Sequence, residues 1–205
     1  SPEDDPRHPA VVADLVGDNV GDVAGMGADI FDSYVAAVVA VMILGAALFG
    51  GQLEYVVLPL ILAAAGIWAS ILGMALMRVG VRENPGQALN AGTVITCVIF
   101  AGFAYAVTRL MGVNPGAFYA TLAGLVVGVV IGFTSDVFTS EQWGIVQRTA
   151  EAAKTGPAIN ILTGFSYGLI SILPSVVGIC LATLVSWYAA QHFGLPGVYG
   201  VSLSA

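Results

Sequence analysis

The sequence predicts an all-α, polytopic transmembrane helix bundle, and three observations carry that prediction. Hydrophobic residues make up 58% of the chain and charged residues 9%, with a mean hydropathy of +0.90, which excludes an ordinary water-soluble domain. Uncharged apolar runs reach the length of about 20 residues that a hydrocarbon core demands; Tyr55 to Met77 contains no charged side chain. Short Gly-, Pro- or charge-bearing stretches separate the runs and mark where each helix stops.

Five full spans and the start of a sixth follow. An acidic loop, Ser1 to His8, precedes Pro9, which suits a first helical turn. The first helix runs from about Pro9 to Phe49, ended by Gly50-Gly51. It is too long for one bilayer crossing, so its first half projects from the membrane or lines a wet cavity. The second span covers about Glu54 to Val79, and the loop after it contains Asn84-Pro85-Gly86. The third, about Gln87 to Met111, turns at Asn114-Pro115-Gly116 into the fourth, about Phe118 to Val137. A polar loop, Thr139 to Gly156, precedes the fifth span, about Pro157 to Gln191, where Pro174 predicts a kink. After Leu195-Pro196-Gly197 a further helix begins, Val198 to Ala205, and the chain reads as a piece of a larger protein. Residues 1–8 are thus a loop and residues 9–205 the bundle.

Alternate crossings put Arg7, Arg78, Arg82, Arg148 and Lys154 on one side and Arg109 alone on the other. The positive-inside bias makes the first side cytoplasmic. The start of the first helix then faces the cytoplasm. Cys97 and Cys180 lie within apolar runs and read as small hydrophobes, not as a disulfide or zinc pattern.

The chemistry concentrates in Ala13 to Tyr34, ADLVGDNVGDVAGMGADIFDSY. Asp14, Asp18, Asp22, Asp29 and Asp32 fall within an arc of roughly 80° on a continuous α-helix turning about 100° per residue. Asp14, Asp18 and Asp22 repeat every fourth residue. Carboxylates at that spacing repel one another, and hard cations such as Mg²⁺ take such oxygen ligands together with waters and substrate phosphates. Acids that merely complement the helix dipole sit in the first turn, whereas these extend over three. Asp29 and Asp32 lie deeper, at the mouth of the apolar half, where ionisable groups mark an ion or proton path. Gly17, Gly21 and Gly25 are spaced for close helix packing in a membrane, and also leave room beside the aspartates for a bulky anion. Glu3, Asp4 and Asp5 make an acidic loop at the same helix end.

These residues also carry a resemblance. Glu3-Asp4-Asp5-Pro6-Arg7, followed by Pro9 through Asp29, resembles the membrane-integral, ion-pumping pyrophosphatases, as do Gly132 to Ser140 and Thr155 to Asn160. The resemblance covers the whole chain. It implies the sixth to tenth of about sixteen transmembrane helices and the start of the eleventh, in a homodimeric protein. It further implies Mg²⁺–pyrophosphate binding by Glu3 and Asp4, with Asp14, Asp18 and Asp22 lining the hydrolytic centre. Asp18 and Asp22 would be catalytic, Asp22 holding the attacking water together with an aspartate from a later helix outside this chain, and Asp29 would be the gate. Asp32 stands where some members carry a gate Glu, the alternative position being Ala36 here; His8 replaces the usual Asn, and Asp136 a frequent Glu.

The implied activity is Mg²⁺-dependent hydrolysis of inorganic pyrophosphate coupled to H⁺ transport out of the cytoplasm, with K⁺ dependence set by residues outside this chain. H⁺ is preferred to Na⁺ because Asp32 reaches about one methylene less than Glu, which harms multi-oxygen Na⁺ ligation more than proton binding. The expected setting is a prokaryotic cell membrane, or an acidic organelle membrane in a eukaryote. No nucleic-acid partner is expected, and the isolated piece should be inactive. Two other classes compete. A membrane prenyltransferase would need a second Asp-rich motif, which this chain lacks. A non-enzymatic cation channel or carrier would leave Asp14, Asp18 and Asp22 without a purpose.

Overall fold

A computed structural model describes residues 7–80 and 85–205, and regular structure among them is helical throughout. Helix α1 is Pro9–Asp18, followed by a π-helical segment, Asn19–Gly25, and by α2, Met26–Leu48. Then come α3 (Leu53–Gly80), α4 (Pro85–Leu110), α5 (Gly116–Thr139), α6 (Gly144–Ala153), α7 (Pro157–His192) and α8 (Gly197–Ser204). Among the described residues, five helical stretches are long and apolar enough to cross a membrane, as the sequence predicts. The Asn84-Pro85-Gly86 turn lies partly outside the described residues; Pro85 opens α4.

Two expectations need correction. The first helix is not a continuous α-helix, because the π segment interrupts it. The loop between the fourth and fifth spans is not loop throughout, since α6 occupies its middle. The reason is a short amphipathic stripe: Ile145, Val146, Thr149 and Ala152 are half-buried while Arg148, Glu151 and Lys154 are exposed. That spacing suits a helix lying on α7, against which α6 packs. Pro174 is accommodated inside α7, which runs through it as one helix.

The chain divides into two compact units, residues up to Ala40 and residues from Val41 onward. In the second unit α5 packs most extensively on α7, α3 on α4, and α8 lies against both α5 and α7. Its apolar core joins Leu58 and Leu62 of α3, Ala104 of α4, Ala117 of α5 and Ala190 of α7 with Val113 and Leu195 of the turns. By the positive-inside assignment, this core sits toward the non-cytoplasmic ends of the helices. Asn114 ties two of those turns together: its Oδ1 accepts from the Gly116 N–H at 2.9 Å and its Nδ2 donates to the Phe193 carbonyl.

A single carbonyl organises the joint between α2, α3 and α8. Pro59 lies inside α3 and has no N–H, so the carbonyl four residues earlier, on Tyr55, loses its intrahelical partner. In a membrane such a group costs free energy unless another donor reaches it. The Tyr199 hydroxyl does, donating to the Tyr55 carbonyl at 2.7 Å from a fully buried side chain. Gly45 of α2 makes the space: a Cβ there would lie 2.7 Å from that same oxygen. Phe49 stacks on Tyr55 with ring centroids 3.9 Å apart, and Tyr199 meets both rings edge-on.

In the full-length protein, Tyr199→Phe should therefore cost about 1–3 kcal/mol of stability, the penalty for stranding a buried acceptor. In a Pro59→Ala background the residue-59 N–H returns to the Tyr55 carbonyl, so the same change should cost clearly less. A thermal-unfolding double-mutant cycle in detergent measures this coupling. Equal costs in both backgrounds would mean that the proline is not the reason for the tyrosine.

Candidate functional site

The carboxylates stand on one long rod. From Pro9 to Leu48 it has 40 residues, about twice the roughly 20 that a hydrocarbon core takes. Val35 to Leu48 carries no charge, and Asp14, Asp18, Asp22, Asp29 and Asp32 all lie N-terminal to it. The rod is therefore apolar where lipid or other helices must meet it and acidic where it outruns the bilayer. All five aspartates are exposed in this chain.

The start of the rod is capped by a residue that the sequence reading left without a role. Pro9 occupies the first helical turn, and the His8 Nδ1 accepts from the Ala10 N–H at 3.2 Å. Asn is among the best residues at that position because its side chain also offers an acceptor. The His8 imidazole thus does here what an Asn side chain does at a helix start. An acceptor side chain directly before a proline at the helix start was the signal that could have revealed it.

The π segment changes the geometry of the stripe. Asp14 and Asp18 remain one turn apart on α1, and Asp29 and Asp32 one turn apart on α2. Asp22 lies between them inside Asn19–Gly25, where i→i+5 bonding makes a wider turn. Each additional residue absorbed by a wide turn sets the following α-helix back by about 100°. The arc of roughly 80° therefore holds within each α-helical pair, and the continuous-helix step does not apply across the π segment. At the junction Asn19 donates to the Leu15 carbonyl through both its backbone N–H and its Nδ2, the latter at 2.9 Å. Such π-helical insertions occur frequently at functional sites.

Glycines give this segment an open flank. A Cβ built at Gly17, Gly21 or Gly27 would meet nothing within 4 Å. Among the described residues, nothing within the same unit packs directly on these glycines.

Among the described residues, no three His, Cys, Asp or Glu side chains come together as a ready-made metal cage. Glu3 and Asp4, expected to share the metal, lie outside the described residues. The donor set still fits Mg²⁺. It consists of exposed carboxylate oxygens only, Asp14 and Asp18 one turn apart on α1 and Asp22 on the π segment after them, and Mg²⁺ is held by one or two carboxylates with waters and phosphates rather than by an all-protein cage.

Asp136 lies apart from this group, near the end of α5. It accepts from Asn90 Nδ2 and from Trp143 Nε1, both at 3.4 Å, linking α4, α5 and the segment before α6.

The sequence profile described as "Inorganic H+ pyrophosphatase" matches residues 1–205. A protein of Clostridium tetani, provisionally named a K(+)-stimulated pyrophosphate-energized sodium pump, is 43% identical over 206 residues, which is 100% of this chain and 30% of that protein. The "K(+)-insensitive pyrophosphate-energized proton pump 2" of Moorella thermoacetica is also 43% identical, over 99% of this chain and 31% of that protein. A "K(+)-insensitive pyrophosphate-energized proton pump" of Methanosarcina mazei is 38% identical over 100% of this chain and 31% of its own length. The chain spans about 30% of the length of these curated relatives.

The cap makes a local prediction. In the full-length protein, His8→Asn should leave amide exchange in Ala13 to Leu15 unchanged. His8→Ala should accelerate it about fivefold, as expected for losing a cap of about 1 kcal/mol. Hydrogen–deuterium exchange with peptide-level readout checks this, and equal exchange in all three proteins would show that the His8 contact stabilises nothing.

Proposed function

Because this chain belongs to the inorganic H⁺ pyrophosphatase family, we propose that it is the central part of a pyrophosphate-energised ion pump and carries one wall of its hydrolytic centre. The observation that supports this most strongly is the acidic half of the Pro9–Leu48 rod, with carboxylates at Mg²⁺-compatible spacing on a stretch too long to lie in lipid. Residues 1–8 form a cytoplasmic loop in this reading, and residues 9–205 part of a transmembrane bundle in an integral, multi-pass protein. The whole protein works as a homodimer.

Each acid has a part. Glu3, Asp4, Asp14, Asp18 and Asp22 hold Mg²⁺ and, through it, the diphosphate. When bound, the metal neutralises phosphate charge and screens the carboxylates from one another. Asp22 orients the attacking water and accepts its proton, and Asp18 supports it from one turn away. Gly17 and Gly21 keep the flank clear for the diphosphate. Asp29 and Asp32 lie further along the same rod, seven and ten residues past Asp22, at its passage into the apolar half. They take up the proton released by hydrolysis and pass it toward the non-cytoplasmic side.

The transported ion is H⁺ in this reading, since a short Asp arm at position 32 favours proton binding over Na⁺ ligation. The identities do not decide the matter: a sodium-pump name and a proton-pump name occur at the same 43%. No observation favours the prenyltransferase or the channel.

The test uses the full-length protein in membrane vesicles, with pyrophosphate as substrate. Phosphate release should require Mg²⁺, and Asp22→Asn should lower it at least about 100-fold, the scale of losing a positioned acid–base group. Asp29→Asn should abolish vesicle acidification. Unimpaired phosphate release by Asp22→Asn would refute the catalytic role, and Na⁺-dependent activation of hydrolysis would reverse the choice of ion. Inertness toward pyrophosphate, with release of diphosphate from a prenyl diphosphate only when a prenyl acceptor is present, would instead indicate the transferase.

A further inference from the structure

The non-cytoplasmic corner where α4, α5 and α7 meet has features that pyrophosphate hydrolysis does not use. At the α4–α5 turn lies a cavity of about 390 Å³ whose walls include Tyr105, Thr108, Arg109 and Tyr119. The Arg109 Nε donates to the Tyr105 hydroxyl at 3.2 Å, and the guanidinium carbon lies 5.5 Å from that ring's centroid. These contacts fix the plane of the guanidinium at the end of α4. A second cavity, about 560 Å³, runs between α5 and α7 and is apolar, lined by Leu122, Val126, Leu181 and Val185 among others. Tyr119 lines both cavities, held by stacking on Phe193 with centroids 5.1 Å apart and planes 6° from parallel.

We propose that this corner binds one phospholipid of the outer leaflet, its phosphate on Arg109 and one acyl chain in the α5–α7 groove. Three features select that occupant. The groove extends along α5 from Tyr119 to Val127, about 12 Å at 1.5 Å per residue, close to the roughly 15 Å depth of one leaflet. Tyr105 and Tyr119 stand at the level where aromatic rings gather, between headgroups and hydrocarbon. Arg109 is the sole arginine or lysine of this chain on that side, with His192 at the rim of the groove, and a guanidinium matches a phosphate by its paired N–H donors. A further helix of the same protein would have to supply an apolar face and an acid at the headgroup level. A phospholipid brings both in one molecule.

The experiment is native mass spectrometry of the full-length protein purified with palmitoyl-oleoyl phosphatidylglycerol. Wild type should retain one more phosphatidylglycerol per chain than Arg109→Gln, and one more than Val126→Phe, which fills the groove but leaves the guanidinium intact. Both variants should melt within a few degrees of wild type. The proposal is overturned if both variants melt normally and keep the wild-type lipid count. It is equally overturned if Val126→Phe melts far below wild type with its lipid retained, because protein then occupies the groove. Displacement of the retained lipid by inorganic phosphate at millimolar concentration would also contradict it, by making the corner an ion site.

Discussion

No polar group can be left bare in hydrocarbon, and that one constraint shapes two parts of this chain. At the joint of α2, α3 and α8 it acts on a single backbone carbonyl. Pro59 removes the donor that Tyr55 needs, Tyr199 restores it, and Gly45 leaves the room in which they meet. Elsewhere the buried Thr108 and Thr121 hydroxyls turn back to the carbonyls four residues earlier, at 2.7 and 3.0 Å. At the acidic stretch the constraint acts on charge. Five carboxylates cannot enter lipid unpaired, so the rod that bears them must outrun the membrane or line water.

The rod thus joins two environments in one element, with acids at its outer half and uncharged residues from Val35 to Leu48. The π segment lies where the acids are, and a wide turn there changes how Asp14 and Asp18 are phased against Asp29 and Asp32. In the proposed pump this helix, with its exposed acids and open glycines, forms one wall of the hydrolytic centre, and the chain covers about 30% of its relatives' length.

Much of this architecture was legible in the sequence, because membrane helices are written in long apolar runs and short turn signals. Asn114-Pro115-Gly116 and Leu195-Pro196-Gly197 marked turns, and α5 and α8 begin at their glycines. What escaped depended on less regular patterns. Helix α6 was hidden because Arg148, Glu151 and Lys154 make its composition look like loop, while its apolar stripe matters only against α7. The π segment was illegible because periodicity arguments assume a fixed step per residue. The Tyr199–Tyr55 bond joins residues 144 apart in sequence; Pro59 announced a carbonyl in need, but not which donor would reach it. Among the candidate site residues, the sequence identified the acids and their rod, and the break in their common face came from the structure.

In the proposed pump the acidic half of the rod is wet from the cytoplasm and faces magnesium diphosphate. Val23 stands next to Asp22 and its side chain is exposed. A single cysteine at that position, in full-length protein within vesicles whose cytoplasmic face is outward, should react with a membrane-impermeant maleimide. Mg²⁺ together with a non-hydrolysable diphosphate analogue should block the reaction, whereas neither should do so alone. A cysteine that stays unreactive in unfolded-free, intact vesicles, or reacts equally with and without the magnesium–analogue pair, would contradict the account.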